Sequence, residues 1–445
     1  MGSKAYFLSL AVTANLFFSI SILKAQDSTK VLNLGEAIAT ALNNNRDIRI
    51  AKLDENISVA NYKQTEAVFL PQVGFSYTLM TTNDPLNAFG FKLEQQTISQ
   101  NDFNPVLLNH PASTPDIATK LEIQQPLLNM DMLYAREGAK KQTEVYQYKT
   151  QRRKEYLSFE VQNAWLQLQL GYDAADVLED ALRTAKSVFE FTDNHFKQGL
   201  IQKSDLLNAQ VHLTTIESEL QKSRSSIRNA SDYLSLLMGQ KTGTIYKIGN
   251  AFQEEKTDID TIQKMASSRA DFMAIQKAIE ATGLMIKSSQ LSYVPKLNAF
   301  GNYQYNDSHL TGFGANSYFA GVRLSWDIFK GNLTKNKIVT QKLERDKLAE
   351  QLAQQKDEAQ MEISKAFRDL SDARFEMARE KVAVEQALES FRILKNRYQQ
   401  GLINTTDILT AETQLSQQKF ALAQVSFKQR ITEAYLQLLT SSTDK

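Results

Sequence analysis

Cysteine is missing from all 445 residues. Its absence excludes disulfides, thiol nucleophiles and thiolate metal sites together, along with the residue that would carry a lipid anchor at a mature N-terminus. Charge of one sign is equally scarce: 51 Lys and Arg against 50 Asp and Glu leave a formal +1, no excess with which to grip a nucleic-acid backbone. The four histidines, His110, His195, His212 and His309, form no H-x-x-x-H pair and sit at no metal-ligating spacing from carboxylates. Neither a glycine-rich phosphate loop nor a nucleophile elbow is present. The expectation is a protein with no catalytic residues, no metal and no cofactor.

Long apolar runs are confined to the N-terminus, "MGSKAYFLSLAVTANLFFSISILKAQDS", where Lys4 precedes a charge-free stretch from Ala5 to Leu23. Residues 1–25 read as a cleaved secretory signal, with processing near Ala25–Gln26, and the alternative is an N-terminal membrane anchor. No other run approaches the ~18 apolar residues of a spanning helix, and the mean hydropathy is −0.37. An exported chain of this kind crosses a membrane only as a β-barrel.

Proline is the next scarce residue. All seven (71, 85, 105, 111, 115, 126 and 295) cluster in two regions, leaving 127–294 and everything after 295 free of helix breakers. Between Gly331 and Gly401 glycine is absent as well. At 1.5 Å per residue that segment spans about 100 Å as one helix. Beyond Gly199 apolar residues recur at Leu206, Ala209, Leu213, Ile216, Leu220, Ile227, Ala230, Leu234 and Leu237, and Ile408, Ala411, Leu415, Leu422, Val425, Leu436 and Leu439 keep the same frame. A sustained seven-residue repeat predicts coiled-coil packing.

The chain also repeats itself. "FKQGLIQKSDLLNAQ" from Phe196 returns as "YQQGLINTTDILTAE" from Tyr398, with 401 − 199 = 202 between the glycines. "FLPQVGF" from Phe69 stands against "YVPKLNA" from Tyr293, where 295 − 71 = 224, so the first half carries about 22 extra residues. Each half has two stretches of period-two alternation. These are Val73, Phe75, Tyr77, Leu79 and Ile117, Thr119, Leu121, Ile123 in the first half. In the second they are Leu297, Ala299, Tyr303, Tyr305 and Tyr318, Ala320, Val322, Leu324, Trp326. The pattern suits half-buried strands and, with aromatics near the strand ends, lipid-facing barrel strands; an ordinary soluble sheet would alternate in the same way. The glycine phrases read as turns of antiparallel helical hairpins, with Ser204 or Thr406 capping the return helices.

The predicted fold class is mainly α with a β-barrel part: duplicated long antiparallel hairpins plus four transmembrane strands per protomer. Four strands cannot close, since small barrels need about eight, and three copies would give a 12-stranded barrel. The divisions follow: 1–25 signal peptide; 26–70 first-half helices; 71–128 first strand pair; 129–240 first hairpin, tip near 199. Then come 241–294 connector and helices; 295–329 second strand pair; 330–440 second hairpin, tip near 401; 441–445 tail. The 81–117 segment reads as an extracellular loop.

In its duplicated "RDIRIAKLDENISVANYKQTEAVFLPQVGFSY" segment and both Gly-Leu-Ile…Asp-(Leu/Ile)-Leu-x-Ala turns, the chain resembles the outer membrane efflux protein family, the TolC-like channels. The resemblance covers nearly everything after the signal. It implies a homotrimer in the outer membrane of a Gram-negative bacterium, with a large periplasmic portion. It also implies a passive duct for a tripartite pump or type I secretion system. The implied partners are outer membrane lipid, a periplasmic adaptor (membrane fusion) protein and an inner-membrane transporter of resistance-nodulation-division or ATP-binding-cassette type, with no nucleic acid. By the family's pattern Tyr398, Asp205 and Asp407 belong to a periplasmic gate; Ile403 stands where the family has a basic residue and Thr410 replaces a second aspartate. Gly199, Leu200, Ile201, Gly401, Leu402 and Ile403 form tips for adaptor docking, or pack against neighbouring tips, and the two aspartates also suit helix N-termini. A periplasmic coiled-coil scaffold or adaptor without a barrel is the rival from another class.

Overall fold

The computed structural model describes residues 29–249, 268–310 and 313–441. The expected signal peptide and part of the 241–294 connector lie outside the described residues. In chain order the first half comprises β1 (Thr29–Leu32), α1 (Leu34–Asn44), α2 (Arg46–Gln64), β2 (Gln72–Thr82), α3 (Pro85–Glu94), α4 (Pro105–Asn109), β3 (Thr114–Leu128), α5 (Met130–Lys197) and α6 (Lys203–Leu237). The second comprises β4 (Ile245–Ile248), α7 (Ala270–Leu291), β5 (Lys296–Asp307), β6 (Ala315–Ser325), α8 (Leu333–Gln399) and α9 (Thr405–Thr440).

Helices α5 and α8 run unbroken for 68 and 67 residues, each about 100 Å long at the helical rise. Their continuity follows from the missing prolines. The glycines inside α5 serve close packing: a Cβ at Gly138 would stand 3.1 Å from Met285 Sδ of α7, and one at Gly171 3.2 Å from Ile227 of α6. The predicted heptad frame is the packed face of α6, with Ala209, Ile216, Leu220, Ile227, Leu234 and Leu237 buried. The core is densest midway along α5, where Leu157, Val161, Trp165 and Leu168 meet Leu234, Met238 and Tyr246. Trp165 Nε1 donates to the Leu32 carbonyl at 3.4 Å and Tyr172 Oη to the Tyr246 carbonyl at 2.8 Å. These bonds dock a small parallel pair, β1 on β4, against the helices.

That pair corrects the reading of 26–70 as helices only: "TKVL" and "IYKI", four residues each, are too short to display a period of two. The 81–117 segment is also more than a loop. Pro85 and Pro105 start α3 and α4, with Asp84 and Asn104 as side-chain N-caps. Proline at the first helical position is favourable, because its missing N–H has no intrahelical partner there.

The four alternating stretches form one antiparallel sheet in the order β2-β3-β5-β6. Register aligns Phe75, Leu121, Tyr303 and Tyr318 in a single row, and the next row is Ser76, Lys120, Gln304 and Ser317. One face is therefore largely apolar and aromatic and the other largely polar, with Phe300 and Phe319 as aromatic exceptions on it. On the apolar face Phe75, Val322 and Leu324 are exposed, and the outer edges of β2 and β6 have no strand partner among the described residues. No helix among the described residues is long and apolar enough to cross a membrane.

Candidate functional site: the two hairpin tips

Both hairpins turn through the same backbone device. After α5, Gly199 N–H donates to Phe196 O at 2.8 Å and Leu200 N–H to His195 O at 2.9 Å; after α8, Gly401 bonds Tyr398 O at 2.9 Å and Leu402 bonds Arg397 O at 2.9 Å. This pair of bonds is a Schellman cap, which needs a left-handed residue, and Gly199 and Gly401 supply it at φ +75° and +73°. The sequence repeat is thus a structural repeat down to individual hydrogen bonds.

The cap leaves Leu200 64% and Leu402 62% exposed at the extreme end of each hairpin. Ile201 is half-buried, and Ile403 packs against the cluster of Val188, Tyr398, Ile408 and Leu409. The apolar side chain of Ile403 completes this small core. The return helices start differently from the reading above. Gln202 holds the N-cap position of α6 without a side-chain bond, whereas Asn404 Oδ1 accepts the Asp407 N–H at 2.8 Å. Ser204 and Thr406 are already inside their helices.

Tyr398 is buried, and its hydroxyl lies 2.9 Å from Thr192 Oγ1 and 3.3 Å from Thr405 Oγ1. Because Thr192 Oγ1 already donates to the Val188 carbonyl at 2.6 Å, Tyr398 donates to Thr192. The ring lies tilted with its centroid 4.8 Å from that of Phe191, itself 4.0 Å from the His195 ring. So Tyr398 joins α8 to α5 and to the start of α9. The acidic partner expected for it, Asp205, instead sits half-buried in the first turn of α6, and Asp407 is exposed at the equivalent position of α9. Both carboxylates complement helix N-termini.

A further contact is one that no local motif in the sequence marks. His212 Nε2 lies 3.0 Å from Glu412 Oε2, joining α6 to α9, and Ser416 Oγ donates to Glu412 Oε1 at 2.6 Å. The signal was available in the 202-residue offset, which puts positions 212 and 412 at nearly the same level of the two return helices. Nearby, Lys419 Nζ lies 3.1 Å from Asp180 of α5. Burial raises the Asp180 pKa, but Lys419 and Arg183 outweigh it and hold the carboxyl below its ordinary value.

A family model described as outer membrane efflux protein matches residues 37–240 and 261–442. The cation efflux system protein CusC of Escherichia coli K12 is 22% identical over 420 residues, covering 90% of this chain and 84% of that protein. The probable outer membrane lipoprotein SilC of Salmonella typhimurium is 20% identical over 419 residues, covering 90% and 83%. Among solved structures, the CmeC outer membrane channel of Campylobacter jejuni superposes with a TM-score of 0.76 at 15% identity, over 92% of this chain and 85% of that one. The outer membrane protein VceC of Vibrio cholerae gives 0.75 at 17% identity, over 92% and 97%.

Proposed function

The chain belongs to the outer membrane efflux protein family and is an outer membrane efflux channel with a large periplasmic helical part; from that premise we propose that it works as a homotrimeric, passive duct. The observation that carries the trimer is the sheet: four strands whose outer edges at β2 and β6 are unpaired among the described residues, with an exposed apolar face. An open edge at membrane depth leaves backbone groups unpaired at several kcal/mol each. Three copies close the sheet with twelve strands, apolar face to lipid and polar face to a water-filled lumen. Phe69, Tyr293, Trp326 and Phe329, exposed at the helix end of the sheet, form the inner interfacial belt.

Six hairpin tips then ring the periplasmic mouth. The exposed Leu200 and Leu402, with Gly199, Ile201, Gly401 and Ile403 shaping the turns, form a docking surface for a periplasmic adaptor. An inner-membrane transporter, of resistance-nodulation-division or ATP-binding-cassette type, drives cargo through. Tyr398 is the gate residue that fixes the tip through Thr192 and Thr405, while Asp205 and Asp407 set the charge of the mouth. The duct needs no catalytic step of its own.

The test is the mass of the protein extracted from outer membranes in mild detergent. A particle of three protomers is expected; a monomer, or protein found only in the soluble periplasm, would overturn the duct.

A further inference from the structure

The segment joining β2 to β3 lies at the sheet end opposite the long helices, and it does not loop away into solvent. Helix α3 packs on β3 and β6, and its contacts reveal the face it covers. Gln95 Nε2 donates to Asp116 Oδ1 at 2.9 Å and to the Pro115 carbonyl at 2.8 Å. Asn306 Nδ2 donates to Asp116 Oδ2 at 2.9 Å and to Glu94 Oε2 at 3.3 Å. Asp116 and Asn306 belong by register to the polar face, the face of Lys120 and Gln304. Asp116 is fully buried, and Ala118 and Ala315 on the same face are buried with it, while Ser317, one step further along, is exposed. Something therefore covers the outward end of the polar face, and that cover is α3.

The cover is itself well braced. Lys92 Nζ lies 2.6 Å from Asp102, which accepts from the Ser99 backbone and hydroxyl at 2.8 Å, and Phe89 meets Phe103 edge-on at 5.8 Å. Buried side-chain amides and carboxylates that satisfy one another hold a unique geometry.

We propose that residues 85–109 form a second constriction of the duct, folded inward across the lumen at its outer exit and latched by Glu94 and Gln95 onto Asp116 and Asn306. This rests on the reading of the polar face as a lumen. The constriction limits the size of cargo at the exit, independently of the periplasmic tips.

Because the chain has no native cysteine, accessibility from outside reports on the constriction directly. Ser317→Cys on the lumen face and His309→Cys on the exposed outer hairpin are placed in the full-length protein, and intact cells are treated with a small charged methanethiosulfonate or a polyethylene-glycol maleimide. The expected result is that both reagents label His309→Cys, while only the small one labels Ser317→Cys. Adding Gln95→Ala and Asn306→Ala, or replacing 85–109 by a short Gly-Ser linker, should let the polymer label Ser317→Cys. Equal polymer labelling with and without the latch, or exclusion persisting after replacement of 85–109, overturns the constriction. Failure of even the small reagent to reach Ser317→Cys in every variant overturns the lumen reading beneath it.

Discussion

Tyr398 Oη and Thr192 Oγ1 stand 2.9 Å apart although 206 residues separate them. Through that bond the end of one long helix in the second half is held to its counterpart in the first. That bond and its continuation to Thr405 hold the end of α8 against α5 and the start of α9. Tyr398→Phe keeps the buried ring and removes the hydroxyl, at a net cost of about 1 kcal/mol per bond. In planar bilayers the variant is expected to spend more time open than the wild type, with Asp205→Asn changing ion selectivity but not open time.

Gly199 and Gly401 have nothing within 4 Å of a built Cβ, so alanine there meets no clash, only the left-handed backbone. That strain is worth about 1–2 kcal/mol. Amide exchange at Leu200 and Leu402, the residues whose N–H groups close the two caps, should accelerate in Gly199→Ala and Gly401→Ala respectively. Gly35→Ala, inside α1 with equally open space, should leave tip exchange unchanged.

Glu412 joins the two return helices from a side chain only 5% exposed. Replacing it by alanine strands His212 and Ser416 without their acceptor, a loss of about 1.5–3 kcal/mol for a bond to a charged group. A double-mutant cycle with His212→Ala, read by denaturant unfolding, should show positive coupling; additive single effects would mean the contact contributes nothing.

Ionisation of Glu94 acts on one contact of the outer latch, the 3.3 Å bond from Asn306. Burial, and secondarily the nearby Asp116, raise its pKa above the ordinary glutamate value. Asp116 faces it from β3 and the Asn306 amide from β5, while Lys92 of its own helix is engaged by Asp102. A raised carboxyl favours the folded latch while protonated, and that contribution is lost as pH rises through the folded pKa. Polymer labelling of Ser317→Cys, normalised to His309→Cys to remove the thiol's own pH dependence, should therefore increase with pH. Glu94→Gln should make it flat. Asp102 behaves oppositely: its bonds to Lys92 and Ser99 lower its pKa to about 2, so the brace persists until pH falls through that value.

Large features were legible in the sequence because each rests on a long pattern. Absent prolines and the heptads from Leu206 to Leu237 and from Ile408 to Leu439 identified the hairpins. Alternation from Val73 to Leu79 and from Tyr318 to Trp326 identified strands. The repeated glycine phrase located both tips. What stayed hidden was short or depended on distant partners. Pro85 and Pro105 looked like loop residues because position within a first turn, not proline itself, decides their effect. Nothing local tells that Tyr398 meets Thr192 rather than Asp205, or that Glu94 reaches Asn306 across 212 positions.

A closed duct requires β2 of one copy to pair with β6 of the next. Cysteine pairs, one scanned along β2 and one along β6 in this cysteine-free chain, test it in native outer membranes under mild oxidation. Covalent ladders ending at three protomers are expected for pairs in one register. Monomers at every pair, or ladders with no register preference, would contradict it.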